Sequence, residues 1–313
     1  MMHKIEPTAA AIPVRNGVEV NLSFPIEIEQ WIEGNSGLLK ILQLSKERGF
    51  IGRSTDVHGV IRHSIGYAVV IDYLFGQDTG MTRIIDELNN SNGASTKLSG
   101  TRNMTLSEGA SIDQESGSAV GHQDSYQNKS DGYISENEYY KCKIIDVGTG
   151  GGIPGIPVAC YLAREYGGMQ FTLLDANLKR TSFLEYVLSS NERQSKDVAT
   201  RVSVINTRAE LYGRELSYRG SFQVAIARSL AKPATTVELC SPLLQPGGYL
   251  VVSLDPHSTT ASLWPDKGLE KFGMIKIGEV TVEEYRYLAV TQVSACPDVY
   301  PRRVGIPSKR PVW

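Results

Sequence analysis

Five glycines fall within residues 148–155, read G-T-G-G-G-I-P-G, between the apolar run KIIDV and the apolar stretch IPVACYLA. Glycine is required where backbone must take positive φ or lie against a ligand, and a helix starting after such a turn offers unpaired N–H groups and a partial positive charge. The chemistry this suits is the binding of an anionic or nucleotide-like ligand. Gly150, Gly152 and Gly155 satisfy G-x-G-x-x-G, and Asp175, at the end of the run FTLLDA, follows 20 residues after Gly155. A carboxylate at that place can hold a ribose hydroxyl of NAD or of S-adenosylmethionine, so the spacing alone leaves both open.

The elements that position these residues follow from periodicity. KIIDV reads as a strand and IPVACYLAREYG as the helix after it, and β-rich runs alternate with helical patterns from Lys143 onward, which predicts a mostly parallel sheet covered by helices. FTLLDA is the second strand, VSVIN the third, followed by Ala209 and Glu210, and FQVAIA the fourth, with Arg228 at its carboxyl end, where open α/β sheets place ligands. QPGGYLVVSL leads into a fifth strand, and GMIKIGEVTVEEYRYLAVTQVSA reads as a closing antiparallel hairpin. Upstream, PIEIEQWIEGNSGLLKILQLSKERGF and VHGVIRHSIGYAVVIDYLFG carry apolar residues at three- and four-residue spacings, the pattern of amphipathic helices. The expected organisation is an N-terminal tail over 1–23, a small helical domain over 24–87, a polar, disordered insert over 88–140, an α/β domain over 141–300 and a basic tail over 301–313.

Composition narrows the class. With 41% apolar residues among 313 and a formal net charge of −2, the chain can bury a sizeable core but has no broadly basic surface, so a nucleic-acid partner needs a local patch. The 4 cysteines are far apart, without zinc-site spacing or disulfide density, and are expected as reduced thiols in a cytoplasm. No metal site, secretory signal or membrane span is expected, and a monomer is.

Asp146 precedes the glycines as D-x-G-x-G-x-G, which resembles the loop of class I methyltransferases, where the acid sits beside the methionine end of the cofactor. The segments DVGTGGGIPGIP, FTLLDANLKRTSFLEYV, TRAE, ARSLA, PGG and YPRRVGIPSKRP, in this order, resemble the bacterial guanine-N7 methyltransferases of small-subunit ribosomal RNA, also called the glucose-inhibited division protein B family; the stretch around Arg62 and His63 is similar to the actinobacterial form. The resemblance covers about residues 35–80 and 143–310. It implies an α/β fold of the class I S-adenosylmethionine-dependent type, Rossmann-like, with a terminal antiparallel hairpin and a helical domain in front. It implies methyl transfer from S-adenosylmethionine to N7 of one guanine in 16S ribosomal RNA, free or in the small ribosomal subunit. Cofactor contacts are then expected at Asp146, Gly148, Gly150, Ile153, Asp175, Ala209, Glu210 and Arg228.

Guanine N7 keeps an in-plane lone pair at neutral pH, so methyl transfer to it asks for placement and not for a general base, and no His–Asp or Cys–His arrangement stands out. Arg228 is the candidate for positioning. His63 is a candidate for RNA contact, as are Lys179 and Arg180 in the first turn of a helix and Arg302, Arg303, Lys309 and Arg310 in the proline-rich C-terminal stretch. Cations at the electropositive end of a helix call for an anion nearby, for which phosphate is the natural candidate. Three positions depart from the family's pattern: Gly66 replaces an acid or amide after Arg-His, Gln223 stands where Phe-Asp is common, and Leu254 leads into SLDPHS where Leu-Lys-Gly is usual. A non-catalytic RNA-binding relative and an NAD-dependent oxidoreductase are the alternatives.

Overall fold

The computed structural model describes residues 18–76, 142–165, 168–189 and 201–313. The polar segment 88–140 and residues 1–17 and 77–87 lie outside these. β2 (Lys143–Val147), β3 (Gln170–Asp175), β4 (Val202–Asn206), β5 (Phe222–Ala227) and β6 (Leu244–Ser253) are parallel, and β7 (Met274–Val282) and β8 (Tyr285–Gln292) form the antiparallel hairpin. With β1 (Val18–Leu22) on the outer edge, the eight strands run in the order β1-β7-β8-β6-β5-β2-β3-β4. The chain fills one side from β2 to β4 and then returns to build the other from β5 outward. The reversal between β2 and β5 marks the crevice where such sheets take ligands.

The central strands are apolar on both faces because helices cover both. Side chains alternate along each strand, so that Ile144, Leu173, Val224, Ile226 and Val251 enter one core and Ile145, Val147, Leu174, Ala225 and Val252 the other. The first core also holds α1 (Ile28–Gly34), α2 (Ser36–Glu47), α3 (Val57–Gly76), α4 (Gly155–Glu165) and α5 (Leu178–Ser189). α3 carries twelve buried residues from Val60 to Phe75 because it is packed on α4 and on strands β6–β8 at once. The helical segment therefore has no core of its own and is continuous with the sheet. The second core is closed by α7 (Pro233–Cys240), α9 (Asp266–Glu270), Trp264 and Trp313; α6 (Ala209–Tyr212) and α8 (Thr260–Leu263) are single turns at its margin.

Two expected tails are structured where they are described. Residues 18–22, read as part of an N-terminal tail, pair in parallel with β7, Val18 opposite Gly278 and Leu22 opposite Val282. A five-residue strand at a sheet edge has too few alternations to stand out from sequence. The C-terminal stretch is not held apart from the fold either: it ends in the short helix α10 (Ile306–Lys309), Pro301 and Pro307 are buried, and the Thr235 hydroxyl donates to the Pro307 carbonyl at 2.9 Å. Among the described residues no helix is long and apolar enough to cross a membrane, and no cluster of His, Cys, Asp and Glu could hold a metal ion. All four cysteines are free thiols.

Candidate functional site

The glycine loop joins β2 to α4 at the carboxyl end of the sheet. Its backbone is pinned by the strand beside it: the Gly148 and Thr149 N–H groups donate to the Leu174 carbonyl at 2.8 and 3.0 Å. Gly155 N–H donates to Asp146 Oδ2 at 2.9 Å and Gly150 N–H to Asp175 Oδ2 at 2.9 Å. The glycines serve different ends. A Cβ on Gly151 would strike Ser45 and Phe50, and one on Gly155 would strike Leu173 and Asp146, so these positions are small because protein packs on them. Gly150 differs: at φ +59° it faces space in which a Cβ would find nothing nearer than the Gly148 carbonyl at 3.9 Å. This is the face of the loop left free for a ligand.

Asp146 Oδ1 and Thr149 Oγ1 are both buried, and the Thr149 hydroxyl lies close enough to the Asp146 carboxylate to favour its charged form. Burial pushes the Asp146 carboxyl up to about 7, against the pull of the Thr149 hydroxyl, the Gly155 N–H and Arg228.

Asp175 ends β3 and is 6% exposed. Its Oδ1 accepts the Asn177 N–H at 2.8 Å, and its Oδ2 accepts from both Gly150 and Arg180 Nη1, the latter at 3.3 Å. Arg180, a candidate phosphate contact, is thus also an intramolecular partner of Asp175, with its side chain 42% exposed. An anion called for by a cation at the start of α5 is Asp175, and Asn177 Oδ1 caps the same turn by accepting the Lys179 N–H at 3.0 Å. Lys179 remains exposed. Asn206, at the end of β4, donates to the Asp175 carbonyl at 3.2 Å and closes this side.

Ala209 and Glu210 follow β4 at the same end of the sheet. The Glu210 carboxylate, 2% exposed, accepts from Arg208 at 2.8 and 3.2 Å and from the Gly305 N–H at 3.0 Å, so its oxygens tie in the C-terminal stretch. Arg208 holds that carboxyl below the usual glutamate range even though burial opposes it. The Ile153 side chain is likewise absorbed by the first core. Arg228 is partly exposed just past β5, followed by Ser229 at φ +50°, a backbone conformation that non-glycine residues adopt rarely and that clusters at functional sites.

On the other flank α3 brings aromatic side chains to the carboxyl ends of β5 and β6. Its His63 ring stacks on Tyr287 at 5.6 Å and meets Tyr285 at 5.1 Å and Tyr67 at 5.8 Å. Burial, and after it the charge of Arg228, lowers the His63 imidazole to about 4, so the ring is neutral at pH 7; its Nδ1 is buried without a partner. The Tyr287 hydroxyl donates to the His63 carbonyl at 2.6 Å and fills the place a side chain on Gly66 would need. Tyr67, four residues after His63, donates to the Ala227 carbonyl and accepts the Ser253 N–H, both at 2.9 Å. The segment after Leu254 is braced by Arg286, whose guanidinium donates to the carbonyls of Asp255, Pro256 and Ser258 and pairs with Glu279.

The basic C-terminal residues separate into two kinds. Arg302 forks onto Glu238, which is fully buried: Nε meets Oε1 at 2.8 Å, Nη2 meets Oε2 at 2.5 Å, and the Arg302 N–H adds a third bond to Oε1 at 2.8 Å. Its charge neutralises a carboxylate inside the protein, and its side chain stays 27% exposed. Arg303, Lys309 and Arg310 are exposed. Gln223 is also relocated: it accepts the Lys143 N–H at 2.7 Å and donates to Gln245 at 2.9 Å, at the amino ends of β2 and β5 and so across the sheet from the site.

Sequence reading overlooked Thr149, Tyr67, Tyr287 and Arg286. For Tyr67 there was a signal, since residues four apart on a helix share a face and His63 was already of interest. For Tyr287 and Arg286 there was none, because their partners lie more than two hundred or about thirty positions away in sequence.

A family model described as rRNA small subunit methyltransferase G matches residues 131–257. The chain is 31% identical over 176 residues to the ribosomal RNA small subunit methyltransferase G of Alkaliphilus oremlandii, covering 54% of this chain and 70% of that protein. It is 33% identical over 186 residues to the protein of the same name from Clostridium botulinum, strain Alaska E43, covering 57% and 74%. Among solved structures, the antibiotic-resistance methyltransferase Kmr aligns with a TM-score of 0.39 and 15% identity over 52% of this chain and 96% of that one.

Proposed function

Because the chain belongs to the rRNA small subunit methyltransferase G family, we propose that it transfers the methyl group of S-adenosylmethionine to N7 of a guanine in 16S ribosomal RNA, in the cytoplasm where small ribosomal subunits are assembled. The observation that carries this reading is the open face of Gly150, whose N–H is held by the Asp175 carboxylate, on the loop that follows the buried Asp146. It is a stretch of backbone free of side chains beside two carboxylates, which lets a nucleoside carrying a cationic amino-acid tail lie close and meet acceptors.

S-adenosylmethionine, when bound, supplies a methyl group on a positively charged sulfur. The residues of this chain bind and orient. Gly150 would let the backbone lie against the adenosyl part, with Gly148 packed behind it against Leu230, Asp175 would accept hydrogen bonds from the ribose, and Asp146 with Thr149 would face the methionine end. Arg228, just past β5 at the crevice between β2 and β5, would position the transferred group. Guanine N7 presents its own lone pair, so no side chain has to remove a proton, and the neutral His63 agrees with that. Lys179, Arg303, Lys309 and Arg310 supply phosphate contacts at the rim.

The test is mass mapping of N7-methylguanosine in 16S RNA incubated with S-adenosylmethionine, with and without the purified protein, on free RNA and on small subunits. One new N7-methylguanosine, present only with protein, is the expected result. Binding of S-adenosylmethionine without any guanine methylation would overturn the reading.

A further inference from the structure

Tyr67 occupies an unusual place in the sheet. β5 and β6 are parallel, with Ala227 opposite Val252, and the next rung of their ladder would run between the Ala227 carbonyl and the Ser253 N–H. The Tyr67 hydroxyl bonds both groups of this rung, donating to the one and accepting from the other at 2.9 Å each. A side chain from α3 has thus entered the ladder at its carboxyl end. The ring is fully buried, and burial keeps the phenol protonated far above neutral pH, so the hydroxyl is a permanent donor and acceptor. The next residues along the two strands are Arg228 and Leu254, and beyond Arg228 the chain turns through Ser229 at positive φ.

We infer that Tyr67 is a positioning residue for methyl transfer: its hydroxyl clamps the last residues of β5 and β6 to α3 and so sets where Arg228 stands in the crevice. The inference rests on the methyl transfer proposed above. α3 is anchored for this task at two further points, the Tyr287 hydroxyl on the His63 carbonyl and the close packing of Gly66 beneath Tyr287. Tyr67 itself hydrogen-bonds only the ends of β5 and β6, and neither the glycine loop nor the exposed cations, so its effect should appear chiefly in the rate of the bound complex.

The test compares Tyr67→Phe with the wild type in three measurements. Single-turnover methylation at saturating 16S RNA should fall about tenfold or more, because displacement of a catalytic group by a fraction of an ångström to an ångström has effects of that size. The KM for RNA and the Kd for S-adenosylmethionine should stay within about twofold. Hydrogen exchange should show the Ser253 amide protected in the wild type, and in Tyr67→Phe faster at Ser253 while Val251 is unchanged. An unchanged rate, or a raised KM with an unchanged rate, would overturn the inference. So would a Ser253 amide that exchanges freely in the wild type. A wild type that methylates nothing would count against the proposed function; the exchange experiment then still decides whether the hydroxyl holds the strand ends.

Discussion

A side chain on Gly66 would overlap the hydroxyl of Tyr287, which reaches across from β8 to donate to the carbonyl of His63. The acid or amide that the family resemblance leads one to expect at position 66 is excluded here by a phenol arriving from a distant strand. The departure at Gly66 is thus one half of a pair. The other half keeps the helix seated on the sheet.

Gly66→Ala should therefore destabilise by about 1–3 kcal/mol, the ordinary cost of overpacking a core. Tyr287→Leu alone should also destabilise, since it removes a buried hydrogen bond and ring packing. Combined, the two should cost at least about 1 kcal/mol less than the sum of the singles, because the second removes the clash created by the first. Urea unfolding of the four proteins checks this; strict additivity would mean that α3 shifts to absorb the extra methyl.

Gly150→Val places two branches in the open face of the loop and a β-branched residue at positive φ, so S-adenosylmethionine binding should be lost in a protein that still folds. Asp175→Ala removes the acceptor of the Gly150 and Asn177 N–H groups and should weaken cofactor binding by about 1.5–3 kcal/mol. Titration calorimetry reads both, and unchanged affinity in a folded Gly150→Val would place the ligand elsewhere.

The C-terminal cations should divide by measurement as they do by geometry. Arg302→Ala leaves Glu238 charged and buried without its partner and should cost about 3–5 kcal/mol of stability. The triple change of Arg303, Lys309 and Arg310 to Ala should leave stability nearly untouched, weaken RNA binding and flatten its salt dependence by the counterions no longer released. Thermal melting and a salt titration of RNA binding separate the two. An identical salt slope in the triple variant would move the basic surface to the neighbourhood of Lys179.

Stability should depend on pH through His63. The imidazole titrates near 6.5 in the unfolded chain and at about 4 in the folded one, so between these values the unfolded chain binds a proton that the folded chain refuses. This contribution is intact above pH 6.5 and is lost as pH falls toward 4, by about 3 kcal/mol. Asp146 acts in the opposite sense between about 4 and 7, because its raised pKa lets the folded chain bind the proton first. The stability of His63→Gln relative to the wild type, followed by denaturant unfolding from pH 7.5 to 4, isolates the histidine. A difference independent of pH would show that the ring is not held neutral.

The sheet and its cofactor loop were legible because their signals are local. KIIDV, the glycine run and FTLLDA each carry their own pattern, and the hairpin from Met274 to Gln292 is continuous in sequence. What sequence could not show depends on partners far along the chain. Arg302 and Glu210 look free until Glu238, Arg208 and Gly305 are brought beside them. Arg180 differs: the rule that a cation at a helix start needs an anion was sound, and one such anion stands five residues away in Asp175. Gln223 looked like a defect in the site because strand order alone does not say which end of a strand a departure falls on.

The pairing of β1 with β7 bears on how the molecule comes into being. Val18 lies opposite Gly278, so β1 is made before every other described element and waits for a partner that follows all the other strands but β8. A short strand that late in finding its neighbour adds loop-closure entropy and little to the folding nucleus. The pairing of β1 with β7 then joins the sheet after the strands between them, and adds its edge last.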